Sequence, residues 1–195
     1  MATRTNRTIS DFKSALVGGG ARPNLFEVQI ANLPGGISWN GDIFKYMCKA
    51  AALPASVIAN IDVPFRGRIF KVAGDRTIET WSVTVINDES FKLRNAFEEW
   101  MQLIAKLDTN IGATSPEAYM VDADVYQLGR GQDPSSTTNT GEANAVLKQY
   151  KMESIFPTSL SAIDLSYDTG DTIEEFTVEF QVQSFTPIAA GAPNE

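Results

Sequence analysis

Within residues 171–185 apolar and polar positions alternate without a break from Glu175 to Gln183. Phe176, Val178, Phe180 and Val182 fall on one side, and Glu175, Thr177, Glu179, Gln181 and Gln183 on the other. A period of two predicts a strand with one greasy and one wet face. The stretch 77–87 has the same form, with Trp81, Val83 and Val85 opposite Thr80, Ser82 and Thr84. Residues 118–128 repeat it, setting Tyr119, Val121, Ala123 and Val125 against Asp122 and Asp124. Further strands are predicted over 24–33, over 56–65 and 68–74 (joined at Arg66-Gly67-Arg68), and over 145–167, where one or two strands break at Pro157.

The period changes in two places. Over 38–53, Ile43, Phe44, Met47, Ala50 and Ala51 recur at helical spacing until Pro54 stops them. Over 90–107, Leu93, Phe97, Trp100, Met101 and Ile104 make one apolar stripe, preceded by the capping run Asn87-Asp88-Glu89-Ser90. One long and one shorter helix among many strands predict a mainly β, α+β fold, an antiparallel barrel or sandwich with the long helix filling or flanking it.

Other stretches lack periodicity. Residues 1–24 read as an arm, with one helical turn over 10–16 and a glycine hinge at 18–20 that no Gly-Lys-Ser/Thr turns into a phosphate loop. Residues 129–144 read as a long exposed loop and 186–195 as a loose tail. With no internal repeat and no linker, the 195 residues are read as a single domain.

Composition narrows the chemistry. The chain has no histidine, which excludes Ser-His-Asp and Cys-His catalysis and most zinc sites. No cofactor motif occurs, and the chain is read as not an enzyme. The one cysteine, Cys48, reads as a buried thiol in a reducing compartment. No apolar run reaches the roughly 18 residues of a membrane span, and the amino terminus lacks a signal-peptide core, which predicts a soluble protein made in a cytoplasm. Asp122 with Asp124, and Glu175 with Glu179, each share one side of a strand. Such pairs can serve as acid and base or hold a cation, but without further oxygen ligands they read as a solvated acidic face.

Charge is unevenly placed. Net charge is −8, yet residues 1–106 hold 13 Lys and Arg against 10 Asp and Glu, and residues 107–195 hold 3 against 14. Within the first part, residues 63–76 gather Arg66, Arg68, Lys71 and Arg76 around one carboxylate, Asp75. A nucleic-acid patch needs more cations and interleaved aromatics. A solvated hairpin tip is one alternative, and a docking surface for the acidic half of a neighbouring copy is the other.

The segments "CKAAALPAS", "VPFRGR", "KVAGDRTIETWSVTVIND", "RNAFEEWM" and "DTIEEFTVEFQVQSF" together resemble the tail tube proteins of contractile-tailed bacteriophages. The likeness runs in order from about residue 12 to 185, and the 129–144 loop exceeds the family minimum. It implies a β-barrel or sandwich subunit that forms hexameric rings. These would stack into a tube within a contractile sheath, between a baseplate and a tail terminator, with genomic DNA passing through the lumen unbound. It also implies a place in the virion tail after assembly in the host bacterial cytoplasm. On that reading Arg66, Arg68, Lys71, Asp75 and Arg76 are expected at subunit or ring contacts, and Asp122, Asp124, Glu175 and Glu179 at the lumen. An acidic lumen would let DNA slide, since duplex carries one negative charge per ~1.7 Å. The alternatives are the tube of a non-viral contractile injection system and, from another class, a small-ligand-binding barrel.

Overall fold

The computed structural model describes residues 8–16, 20–129, 146–168 and 170–189. They form α1 (Ile9–Ala15), β1 (Phe26–Ile30), α2 (Gly41–Met47), β2 (Cys48–Ala51), β3 (Ser56–Phe65), β4 (Arg68–Ile78), β5 (Trp81–Ile86), α3 (Lys92–Ile104), β6 (Val121–Leu128), β7 (Val146–Leu160), β8 (Glu175–Gln181) and β9 (Ser184–Ala189). Seven strands make one antiparallel sheet in the order β1-β6-β7-β8-β5-β2, with β9 also on β7, while β3 and β4 pair only with each other. The fold is an antiparallel sandwich with helices, as the alternation predicts. Among the described residues its hydrogen-bonded path has two ends, β1 and β2, and no closed barrel is formed.

The bend that makes two layers lies in β7. Val121 and Ala123 of β6 face Ile155 and Met152, so Asp122 opposes two residues, Glu153 and Ser154. Ser154 takes φ 55 and donates its backbone N–H to Asp122 Oδ1 at 3.0 Å. A bulge of this kind bends a strand and shifts its side-chain parity, so Met152 and Ile155, three apart, both face inward and are fully buried. The break therefore falls at Ser154, not at Pro157, which stays inside β7 opposite Phe180 beside a second irregularity.

The alternating faces meet at the core. Trp81, Val83 and Val85 of β5 sit opposite Phe180, Val178 and Phe176 of β8, and all six are buried. Helix α3 lays Leu93, Ala96, Phe97 and Trp100 on them. Phe97 has ring centroids of Trp39, Phe44, Phe176 and Phe180 within 5.5 to 6.2 Å. Trp100 donates Nε1–H to Tyr119 O at 2.7 Å, which satisfies its one polar atom in the interior. Met101 and Ile104, the remaining residues of the predicted stripe, are only half-buried.

Three boundaries differ from the sequence reading. The helix predicted over 38–53 ends at Met47 as α2, and Cys48–Ala51 leave it as β2 to pair with β5; strand pairing overrides the helical spacing of Ala50 and Ala51. No side chain of the 87–90 run caps α3, whose N-cap is Phe91 at φ 52. The expected loose tail is also partly ordered, because 186–189 belong to β9, with Thr186 opposite Lys151 and Ile188 opposite Gln149. In the arm, the expected helical turn is α1. Residues 1–7, 17–19, 130–145 and 190–195, which hold most of the arm's remainder, the long loop and the end of the tail, lie outside the described residues.

Cys48 is buried, and desolvation pushes its thiol up from 9.0 to about 12. A raised thiol pKa leaves stability intact below about pH 9 and lowers it as the pH climbs from there toward 12. At pH 8 folding thus removes most of the reactive thiolate, and a thiol reagent should label the native protein at least ~100-fold more slowly than the unfolded chain. Equal rates would show that Cys48 is open to solvent.

Candidate functional site

Strands β3 and β4 form an arm that stands off the body. Every residue of β3 is exposed, and β4 is exposed except at Gly74 and Ile78. At about 3.3 Å per residue the eleven residues of β4 reach ~36 Å. Its turn, Arg66-Gly67, has φ 47 and 81. Two successive positive φ values make the tight hairpin turn whose twist matches the strands, and Gly67 takes its position without strain.

Register sorts the arm into two unlike faces. Ile61 lies opposite Val72, Val63 opposite Phe70, and Phe65 opposite Arg68, so these side chains share one side. The other side carries Asn60, Asp62 opposite Lys71, and Pro64 opposite Ile69. A bulge sets Gly74 and Asp75 against Ala59 between the Asn60–Ala73 and Ile58–Arg76 pairs. The first face is therefore apolar over most of its length, yet Phe65 and Phe70 are each 66% exposed and Ile61 54%. A contiguous apolar strip of this size on a single chain marks a surface that another molecule covers.

The charges gathered in the sequence do not act as one patch. Arg66 and Arg68 are at the tip, where the Arg66 guanidinium lies 5.4 Å from the Phe65 ring centre. Lys71 is bound within the arm, 2.8 Å from Asp62 Oδ1, which also accepts from Asn60 Nδ2 at 2.9 Å. Asp75 sits in the bulge, and Arg76 lies near the base opposite Ile58. Only the two arginines at the tip remain together and exposed.

The acidic faces are on the outer side of the sheet, but three of their four carboxylates have partners. Asp122 holds the Ser154 bulge and lies 3.6 Å from Lys151, Asp124 accepts from Gln149 at 2.9 Å, and Lys49 reaches Glu175 at 2.5 Å. The carboxylate of Glu179, opposite Ser82, has no partner among the described residues. Beside Asp124 and Glu27, the half-buried Tyr126 hydroxyl is pushed up, chiefly by desolvation and then by those two negative charges. The outer face is thus a mixed-charge surface. Among the described residues no three His, Cys, Asp or Glu side chains converge as a metal site, and no helix is long and apolar enough to cross a membrane.

The sequence reading missed the apolar side of the arm. Its signal is present in the alternation of Val57, Ala59, Ile61, Val63 and Phe65, which predicts a strand without saying what covers its apolar side.

Comparison with known proteins matches this architecture. Among solved structures, a chain of the anti-feeding prophage baseplate aligns with TM-score 0.61 at 10% identity, over 89% of this chain and 98% of its own. A chain from the sheath/tube terminator of an extracellular contractile injection system aligns at 0.56 and 13%, over 87% and 97%. These are likenesses of fold. In sequence, tail tube protein gp19 of Enterobacteria phage T4 is 35% identical over 158 residues, 81% of this chain and 86% of that one. The tail tube protein of Serratia phage KSP90 is 25% identical over 179 residues, 89% and 93% of the two chains. The phage tail tube protein model covers residues 21–187, from before β1 into β9 and across the arm, so the chain belongs to the phage tail tube protein family.

Proposed function

We propose that this chain, acting as one domain, assembles into hexameric rings that stack into the inner tube of a contractile phage tail and give the genome its exit path. The observation that carries the proposal is the arm's exposed apolar face, which a neighbouring copy would cover. Copies meeting head to tail, arm of one on body of the next, close into rings or extend as tubes. The tube would lie within a sheath, between baseplate and terminator, and the subunits would be made in the host cytoplasm.

The role is structural rather than enzymatic. DNA would pass along outer sheet faces that offer it no cationic groove, with Glu179 as the free lumen carboxylate and Asp122, Asp124 and Glu175 adding charge tempered by their partners. Arg66 and Arg68 would meet carboxylates of a neighbour, with Lys71, Asp75 and Arg76 at the margin of the same contact. A ligand-binding barrel is disfavoured because Phe97 and Trp100 fill the interior. A non-viral injection tube shares the fold, but identity of 35% to a phage tube protein against 10% to the anti-feeding prophage chain and 13% to the extracellular injection-system chain favours the phage reading.

Negative-stain electron microscopy over a range of protein and salt concentrations tests assembly directly. Hollow rings or tubes support it, and a compact ligand-bound dimer refutes it. Arg66→Glu with Arg68→Glu should raise the concentration needed for assembly about tenfold at low salt, with the difference shrinking toward 1 M salt as screening shortens to ~3 Å. An unchanged threshold at low salt would remove the two arginines from the interface.

A further inference from the structure

Helix α1 carries Ile9, Phe12 and Leu16 at i, i+3 and i+7, a single stripe, and none of them is buried. Phe12 is 65% exposed. The helix is firmly specified for its length: Thr8 and Asp11 form a reciprocal capping box, with the Asp11 N–H donating to Thr8 Oγ1 and the Thr8 N–H to Asp11 Oδ2. Seven residues do not hold a helix in water by propensity alone. A capped helix with an unpartnered apolar stripe therefore calls for a surface to lie on.

The body offers one. The last turns of α3 and the Pro157 stretch of β7 enclose a groove of about 670 Å³ lined by Met101, Ile104, Ala105, Leu107 and Pro157, with Glu98 at its rim. Leu107 is 90% exposed, so none of the described residues covers this wall. Stripe and groove are both open in the same chain and do not meet each other.

Charge favours the match between copies. The last turn of α3 has no basic residue, so its end keeps the negative pole of the helix dipole. Beside the groove Glu98 is held by Arg94 at 2.9 Å and Asp108 stands two residues from Lys106, so these side chains nearly balance and the helix end supplies the negative potential. The first sixteen residues carry Arg4, Arg7 and Lys13 against Asp11 alone. Lys13, four residues after Ile9, flanks the stripe, whereas Asp11 lies on the far side of the helix.

We propose that α1 of one copy seats its Ile9–Phe12–Leu16 stripe in the groove at the C-terminal end of α3 of a neighbouring copy. The proposal rests on the self-assembly reading above and adds to it a second contact, independent of the β3–β4 arm. The apolar stripe supplies the affinity, and the charge difference sets which groove the helix enters.

Cysteine pairing between full-length chains tests it. One chain carries Phe12→Cys and the other Leu107→Cys, both at exposed positions, and the buried Cys48 stays silent. Mixing and oxidation should give a disulfide-linked pair containing one of each. Phe12→Asp, also exposed, should raise the assembly threshold about tenfold. Tubes that form with no mixed disulfide overturn the docking and leave the tube reading intact. Mixed pairs without tubes uphold the docking and count against the tube. A doubly substituted chain that closes only on itself at every concentration overturns the proposal, as does a groove whose Leu107→Cys reacts only with added sheath protein.

Discussion

Val63→Asp combined with Phe70→Asp should abolish rings and tubes at any practical concentration while leaving the thermal midpoint of the monomer within about 2 °C. The two residues face each other across the arm at the centre of its apolar side, 43% and 66% exposed. Neither belongs to the core, so the free subunit loses only their cross-strand contact within the hairpin and the body keeps its packing. In the assembled state the same positions are proposed to be covered, and each buried carboxylate without a partner costs several kcal/mol. Two of them shift the association constant by more than about a thousandfold per contact, multiplied around a ring. Sedimentation velocity and negative-stain images read the assembly, and calorimetry reads the fold. Asn60→Ser, on the opposite side of the same hairpin, is the control and should assemble as the parent does. Intact tubes from the double aspartate variant would show that the apolar side of the arm faces solvent in the assembly.

That surface also shows where sequence reading stops. The alternation in β5 and β8 translated directly into a sheet because Trp81, Val83 and Val85 and their partners Phe180, Val178 and Phe176 use the period of two to face a shared core. The alternation in β3 has the same form, yet its apolar side faces outward. A strand pattern records that one side is to be covered, not which molecule covers it. Likewise, four cations in fourteen residues suggested one docking patch, and register dispersed them. Lys71 falls opposite Asp62 only once the turn is fixed at Arg66-Gly67. Local conformations without a residue signature were illegible for another reason. Ser154 and Phe91 take positive φ without being glycine, so neither the bend in β7 nor the start of α3 could be placed from residue types. Cys48–Ala51 read as helix because Ala50 and Ala51 continue the helical spacing of Ile43, Phe44 and Met47, and only pairing with β5 makes them a strand. Family likeness, by contrast, was legible from five short segments, since it depends on residue identity in series and not on local geometry.

Phe97→Ala should have the complementary effect, lowering the unfolding free energy of the monomer by about 3–5 kcal/mol. Phe97 is 1% exposed and is the ring on which the layers converge, 6.0 Å from Phe44 on α2 and 6.2 and 6.0 Å from Phe176 and Phe180 on β8, with Trp100 6.4 Å away along its own helix. Truncation removes the apolar transfer term and leaves a void between a helix and a sheet that cannot collapse together, because Trp100 is held by its hydrogen bond to Tyr119 O. Since a domain is stable by only about 5–15 kcal/mol, such a loss is a large part of the total. Urea titration followed by tryptophan fluorescence measures it, with the midpoint moving down and the slope unchanged. Assembly linkage adds a second readout. If rings bind only the folded subunit, raising the protein concentration should restore much of the lost midpoint in the Phe97→Ala chain. It should restore none in a chain that also carries the Val63→Asp and Phe70→Asp changes. A concentration-independent midpoint in the Phe97→Ala chain would separate folding from assembly, and a loss under about 1 kcal/mol would mean that the aromatic cluster is loosely packed.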